Sequence, residues 1–71
     1  MITNRIRLIV LEELEYSGPC LIKDISVSET IKAQLLYLLE KEKLIVNHLG
    51  LIAITKEGLN VVSFFSRNNK P

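Results

Sequence analysis

The chain has 71 residues, of which 48% are hydrophobic, and its formal net charge is +1. This length allows one small domain, and the near-neutral charge gives no global electrostatic argument for binding nucleic acid. A single cysteine and a single histidine exclude an intramolecular disulfide framework and a conventional structural zinc site.

The hydrophobic fraction is high for so small a domain, which has little interior to fill. We therefore expect a second copy of the chain to cover the surplus apolar surface, giving a homodimer. No apolar run approaches the roughly 20 residues that a membrane span needs, so no membrane partner is expected. With Arg5 and Arg7 interrupting the first apolar stretch and Cys20 as the lone thiol, we expect a cytoplasmic protein.

The first element predicted is a helix from Met1 to Tyr16, capped by Thr3 or Asn4. The segment 17–19, Ser-Gly-Pro, ends it, because glycine adopts the left-handed conformation and proline cannot continue a helix. A short strand near residues 19–21 and a short helix over 21–25 follow. In that short helix we expect three side chains to point inward, those of Leu21, Ile22 and Ile25.

The second long helix is predicted over residues 26–44, where Ser26 and Glu29 have the spacing of a capping box. Its apolar positions recur at the spacing of one helical face and are Ile31, Leu35, Leu38 and Leu39. The other face is polar and moderately basic, and it carries Thr30, Lys32, Ala33, Gln34, Tyr37 and Lys41.

Two β-branched tetrads, residues 44–47 and 51–54, predict a β-hairpin with its turn near Gly50. Alternation along the tetrads groups Ile45, Asn47, Leu51 and Ala53 on one face of the hairpin. Thr55 then caps a final helix. The predicted domain covers residues 1–67, and residues 68–71 form a frayed polar tail.

Two segments of the chain resemble those of winged helix-turn-helix domains. Residues 38–45, Leu-Leu-Glu-Lys-Glu-Lys-Leu-Ile, are similar to the junction between a recognition helix and the first wing strand. Residues 54–58, Ile-Thr-Lys-Glu-Gly, are similar to the segment that leaves the second wing strand, where Thr55 caps and Gly58 permits close packing. The chain resembles compact regulators of the MarR and PadR groups, many of which come from archaea and from microbial viruses or plasmids.

The resemblance implies an α+β, mostly α, fold: three helices, a short β-hairpin wing and a C-terminal helix. It also implies sequence-specific binding of double-stranded DNA by a homodimer, a transcription regulator of the repressor type, with helix 26–44 in the major groove. No cofactor and no small-molecule effector are expected, since the chain has little beyond the DNA-binding unit.

A recognition helix presents short polar side chains to base edges, while basic and hydroxyl groups hold phosphates. Gln34 can pair with adenine, and Thr30 or Ala33 can touch a thymine methyl group. The alternative for this face is an ordinary solvated helix surface. The alternative for His48 is a solvent-exposed turn residue without a DNA contact. The predicted DNA-binding set is Ser28, Thr30, Lys32, Ala33, Gln34, Tyr37, Lys41, Arg5 and His48.

The predicted dimer interface uses the apolar positions of the first and last helices, namely Leu8, Val10, Leu11, Val61, Phe64 and Phe65. We do not expect an enzyme, because the chain shows no nucleophile–base pair, no metal-ligand cluster and no glycine-rich phosphate loop. The alternative function is a winged-helix module for protein–protein interaction without DNA binding, which the near-neutral charge favours.

Overall fold

The computed structural model describes residues 2–68, with side chains through Ser66. This part of the chain forms an α+β, mostly helical fold of three α-helices and a three-stranded antiparallel sheet. In chain order the elements are α1 (Asn4–Ser17), β1 (Cys20–Leu21), a 3₁₀ turn (Ile22–Asp24), α2 (Glu29–Lys41), β2 (Ile45–His48), β3 (Leu51–Ile54) and α3 (Lys56–Asn68). The predicted tail falls outside the described residues from residue 69 onward, and α3 runs one residue past the predicted domain end.

Helix α1 begins and ends on the residues that the sequence marks. The Thr3 hydroxyl accepts a hydrogen bond from the Ile6 N–H at 3.2 Å, so the helix starts at Asn4 rather than at Met1. Gly18 has φ +79° and donates its N–H to the Leu14 carbonyl at 2.9 Å. The first predicted helix is therefore confirmed, with its start moved inward by the cap.

Helix α2 is shorter than the predicted span of 26–44. Its N-cap is Ser28, whose hydroxyl accepts from the Thr30 N–H at 3.3 Å. Ser26 does not form the expected capping box, because its N–H and hydroxyl both donate to the Glu13 carboxylate at 3.3 Å. Ser26 thus fixes the connection to α1 rather than starting α2.

The end of α2 is a left-handed cap formed without glycine. Lys43 has φ +64°, and the N–H groups of Lys43 and Leu44 donate to the Glu40 and Leu39 carbonyls, each at 2.9 Å. This is the Schellman pattern, in which the left-handed residue is usually glycine. It turns the chain directly into β2.

The sheet has the strand order β1-β3-β2, with β3 in the centre. His48 pairs with Leu51, so the hairpin tip consists of Leu49 and Gly50 alone. Residues opposite each other share a face, which places Ile45, Asn47, Ile52 and Ile54 together on the inner side. The predicted grouping of Ile45 and Asn47 with Leu51 and Ala53 is wrong, because a two-residue turn fixes the opposite pairing.

The segment between α1 and α2 is mostly exposed. The predicted short helix is one 3₁₀ turn, and only Ile25 of its three expected core residues is buried. The Ile22 N–H donates to the Gly50 carbonyl at 3.1 Å, which continues the β1–β3 ladder. This pairing leaves Leu21 and Ile22 exposed, contrary to the prediction.

Helix α3 starts at the cap that the sequence predicts. The Thr55 hydroxyl accepts from the Gly58 N–H at 3.1 Å and donates to the Lys43 carbonyl at 2.6 Å. Gly58 is buried, and a Cβ atom there would meet the Leu44 carbonyl oxygen and lie 2.6 Å from Ile54 Cγ1. Only glycine allows this approach of α3 to the base of the hairpin.

The core lies where the three helices meet the inner face of the sheet. Its buried residues come from every α-helix, from β2 and β3 and from the segment before α2, and they are Val10, Leu11, Leu14, Ile25, Leu35, Leu36, Leu39, Ile45, Ile52 and Val62. None of the helices within residues 2–68 combines the length and apolar character needed to cross a membrane.

We expect Gly58→Ala to destabilise the protein by about 2–3 kcal/mol, because the new methyl group overlaps backbone at the hairpin base. Urea unfolding followed by circular dichroism measures the change. Ser63→Ala, on an exposed position of the same helix, is the matched control and should change stability by no more than about 0.5 kcal/mol. Equal stability of the two variants would contradict the close-packing account.

Candidate nucleic-acid interface

One side of α2 is exposed, and four of its neighbouring residues are uncharged. Thr30, Ala33, Gln34 and Tyr37, here called the reading face, lie at offsets of three, four and seven residues, so they share one side of the helix. All four are exposed, and Tyr37 is 62% accessible to solvent. Their hydroxyl, methyl and amide groups can form hydrogen bonds and apolar contacts with a ligand that lies along the helix.

The two ends of α2 add polar groups to this side. Ser28 is exposed, although its hydroxyl oxygen already accepts the capping hydrogen bond. Lys41 is exposed in the last helical turn. Among the predicted phosphate-binding residues of α2, these two and Tyr37 keep side chains at the surface.

Lys32 was predicted to bind phosphate, and the structure places it elsewhere. It is only 5% exposed, and its Nζ donates to the Ile22 carbonyl at 3.0 Å and lies 2.8 Å from Glu29 Oε2. The amino group therefore ties the 3₁₀ turn to α2. Because its side chain is buried and its amino group already contacts two partners inside the protein, Lys32 is not part of the exposed interface, and this placement contradicts the predicted phosphate contact.

A groove of about 360 Å³ separates α2 from the inner face of the sheet, and we call it the sheet groove. Its polar rim includes Tyr37, Glu40 and Asn47, and its floor includes Leu36 and Ile52. Sequence reasoning did not single out Glu40 or Asn47. Glu40 could have been found, since it follows Ala33 and Tyr37 at helical spacing, whereas the position of Asn47 depends on the strand pairing.

The hairpin tip stands beside the sheet groove. His48 is exposed and pairs with Leu51 next to the turn, as expected for either a contact residue or a simple turn residue. Leu49 has φ +54° and is 94% exposed, and the Asn47 Oδ1 accepts from the Gly50 N–H at 2.8 Å. The turn therefore holds an apolar side chain out into solvent.

The arginines of α1 do not join the reading face. Arg5 is exposed, but it lines a different groove, between α1 and α3, together with Leu8 and Phe65. Arg7 forms an ion pair with Glu42 just after the end of α2. The structure thus does not bring Arg5 together with the other predicted DNA-binding residues.

The predicted dimer surface is only partly available. Val10 and Leu11 are 0% and 1% exposed and belong to the core of a single chain, so they cannot form an interface as predicted. Leu8, Val61 and Phe65 are half-buried, and Phe64 is 61% exposed. The Phe64 and Phe65 rings meet edge to face, with centroids 5.5 Å apart.

We call this apolar area between α1 and α3 the helix-pair surface, and Ile9 extends it. Ile9 is about half exposed and lines the same groove as Arg5 and Glu12. The sequence alone showed only that the hydrophobic fraction is high for so small a domain. The structure assigns Val10 and Leu11 to the core and Ile9 to the surface.

Among residues 2–68, no group of three or more histidine, cysteine, aspartate or glutamate side chains is placed to hold a metal ion. The exposed chemistry of the α2 side is that of neutral hydrogen-bond donors and acceptors, with isolated charges around them.

Comparison with known proteins adds no relative: the chain matches no protein-family model, no curated protein and no solved structure.

We expect Lys32→Met to lower the free energy of unfolding by about 1–2 kcal/mol, because the Ile22 carbonyl loses a charge-assisted hydrogen bond. Glu29→Gln is the matched control on the same ion pair. The Glu29 side chain is 82% exposed, so its replacement should cost only about 0.5 kcal/mol. Urea unfolding of both variants measures the difference, and a Lys32→Met protein as stable as wild type would contradict the assignment.

Proposed function

We propose that the protein is a sequence-specific double-stranded DNA-binding transcription regulator that acts as a homodimer and represses by occupying its operator. The observation that carries this proposal is the reading face, an uncharged and exposed hydrogen-bonding side of α2 next to a projecting hairpin. An α-helix with its side chains is about 10–12 Å across, which fits the major groove, about 12 Å wide. A cytoplasmic location and the absence of a catalytic role remain predictions.

The arrangement of elements supports a winged helix-turn-helix fold. The order helix, strand, turn, helix, hairpin, helix is compatible with the layout that the sequence resemblance implies, and β1 adds to the hairpin in the strand order β1-β3-β2. The 3₁₀ turn at Ile22–Asp24 stands where such domains have a longer helix before the recognition helix. In the proposal, α2 is the recognition helix and β2–β3 is the wing.

Specificity in this proposal comes from a few direct contacts. Gln34 can donate to and accept from the adenine edge, and the methyl groups of Thr30 or Ala33 can contact thymine. In the proposal Ser28, Tyr37 and Lys41, which are exposed, contact phosphates. Lys32 no longer belongs to this set, because its amino group is buried.

The helix-pair surface supports the homodimer. Phe64 and Ile9 are large exposed apolar residues, and Ile9 shares its groove with the opposite charges of Arg5 and Glu12. In a two-fold dimer each copy presents the same patch, so a patch carrying both charges can complement itself. Two copies would place two α2 helices in successive major grooves, about 34 Å apart.

We expect the wild-type protein to bind a duplex selected from a random library with a dissociation constant below about 1 µM near 100 mM salt. Gln34→Ala should cost about 1–3 kcal/mol of discrimination at one base pair, because the bidentate contact is lost. Lys41→Ala should weaken all sequences alike and lower the salt slope by about 1. Fluorescence anisotropy at several salt concentrations measures all three quantities.

The control for these variants is Ser63→Ala, an exposed change on α3, which should leave affinity, specificity and salt slope unchanged. Failure of the wild-type protein to enrich any duplex would contradict the DNA-binding proposal. If Gln34→Ala binds all duplexes as wild type does, then base reading by α2 is wrong even if DNA binding is right.

A protein–protein interaction module is the second candidate, and one observation favours it. Glu29 and Glu40 both line the sheet groove, and Lys32 pairs with Glu29, so Glu40 is the carboxylate of this lining that the pair does not neutralise. A carboxylate beside α2 opposes phosphate groups and favours a cationic partner. Enrichment of a basic protein partner, with no enrichment of DNA, would support this second function.

The homodimer is tested by Phe64→Asp, which places a charge in the helix-pair surface. We expect sedimentation velocity to show a dimer for the wild-type protein and a monomer for this variant, because burying an unpaired charge is unfavourable. Tyr16→Asp is the matched control at a position that is 92% exposed, and it should remain dimeric. A wild-type monomer at about 100 µM would contradict the dimer.

A further inference from the structure

The hairpin tip has a backbone conformation that its residue does not favour. Leu49 and Gly50 have φ +54° and +90°, and a two-residue hairpin turn of this kind needs positive φ at both positions. Glycine, asparagine and aspartate are the usual residues there, because their steric cost is low. Leucine at position 49 therefore has a strained backbone conformation.

The Leu49 side chain does not offset this strain by packing inside the chain. Leu49 is 94% exposed, so its side chain gains almost no burial from the fold. The turn is stabilised instead by the backbone pairing of His48 with Leu51 and by the Asn47 Oδ1 contact to Gly50 N–H. An exposed apolar side chain in a strained conformation points to a contact outside the chain.

The surroundings of Leu49 limit what that contact can be. Residues 45–54 include no lysine, arginine, aspartate or glutamate, so the hairpin is not suited to holding phosphates. Val46 and Leu51, near the tip, are about half exposed. The group that Leu49 meets must accept an apolar side chain.

The position of the hairpin beside α2 indicates which part of a duplex it would meet. Asn47 lines the sheet groove with Ala33 and Tyr37 of the reading face, so the hairpin borders that face. When α2 fills a major groove, an element beside it reaches the adjoining backbone and minor groove. The stacked bases form the apolar part of that region.

We propose that Leu49 is a wedge that enters the minor groove and inserts between two base pairs next to the site of α2. This inference rests on the proposed DNA-binding function and adds a specificity-determining contact to it. Leucine is one of the apolar residues that can partly unstack a base step. The protein would then prefer flexible pyrimidine–purine steps at that position, because unstacking them costs least.

The test compares wild type with Leu49→Asn and Leu49→Met on the duplex that the wild-type protein enriches from a random library. Asparagine suits the left-handed conformation, so Leu49→Asn should melt at the same temperature as wild type or higher. We expect it to bind about tenfold more weakly, because the buried apolar contact is lost. Leu49→Met keeps an apolar side chain and should bind within about threefold of wild type.

A base analogue reports the wedge directly. In duplexes carrying 2-aminopurine at successive positions, wild type and Leu49→Met should raise the fluorescence at one step beside the α2 footprint. Leu49→Asn should not raise it there. Tyr16→Asn, equally exposed but on α1, is the matched control and should behave as wild type.

The outcomes separate the wedge from the DNA-binding proposal. If wild type enriches a duplex and Leu49→Asn matches its affinity and fluorescence, the wedge is wrong and DNA binding stands. If wild type enriches no duplex, both are wrong. If Leu49→Asn instead converts a dimer to a monomer in sedimentation velocity without DNA, Leu49 contacts protein and the wedge is overturned.

Discussion

The contacts between residues 43–44 and residues 55–58 fix the geometry on which the rest of the molecule depends. The Lys43 carbonyl accepts from the Thr55 hydroxyl at 2.6 Å, and the Leu44 carbonyl accepts from the Thr55 N–H at 3.0 Å. Gly58 packs against the same Leu44 carbonyl. At this point α2 ends, the hairpin begins and closes, and α3 starts. Any shift of these contacts would therefore move the reading face relative to the hairpin tip.

Two cations of this small domain hold its parts together. Lys32 joins α2 to the 3₁₀ turn, and the Arg7–Glu42 ion pair links α1 to the end of α2. The chain has nine basic and eight acidic residues, so its formal net charge of +1 gives little overall attraction to the phosphate backbone of DNA. The proposed function therefore depends on shape, hydrogen bonding and apolar contact, and on the gain in affinity from joining two copies.

Most of the fold follows from short-range chemistry that a sequence displays. Gly18 and Thr55 end and start helices through contacts with residues three or four positions away, so their roles can be predicted locally. The β-branched tetrads likewise predict the hairpin, and the helical spacing of α2 predicts its buried Leu35 and Leu39. The start of α2 was predicted less well, because Ser26 and Ser28 are both hydroxyl residues that can cap it.

The element order, the caps at Thr3, Gly18 and Thr55 and the composition of the reading face can be predicted from the sequence, because they depend on periodicity and on neighbours along the chain. The directions of the Lys32 and Val10 side chains depend instead on tertiary packing. Periodicity groups residues on one side of a helix but does not say where the core lies, and a lysine stem can pack inward when its amino group finds partners. The faces of the hairpin also depend on tertiary contacts. The pairing of His48 with Leu51 sets which side chains meet the core and leaves Leu49 outside it.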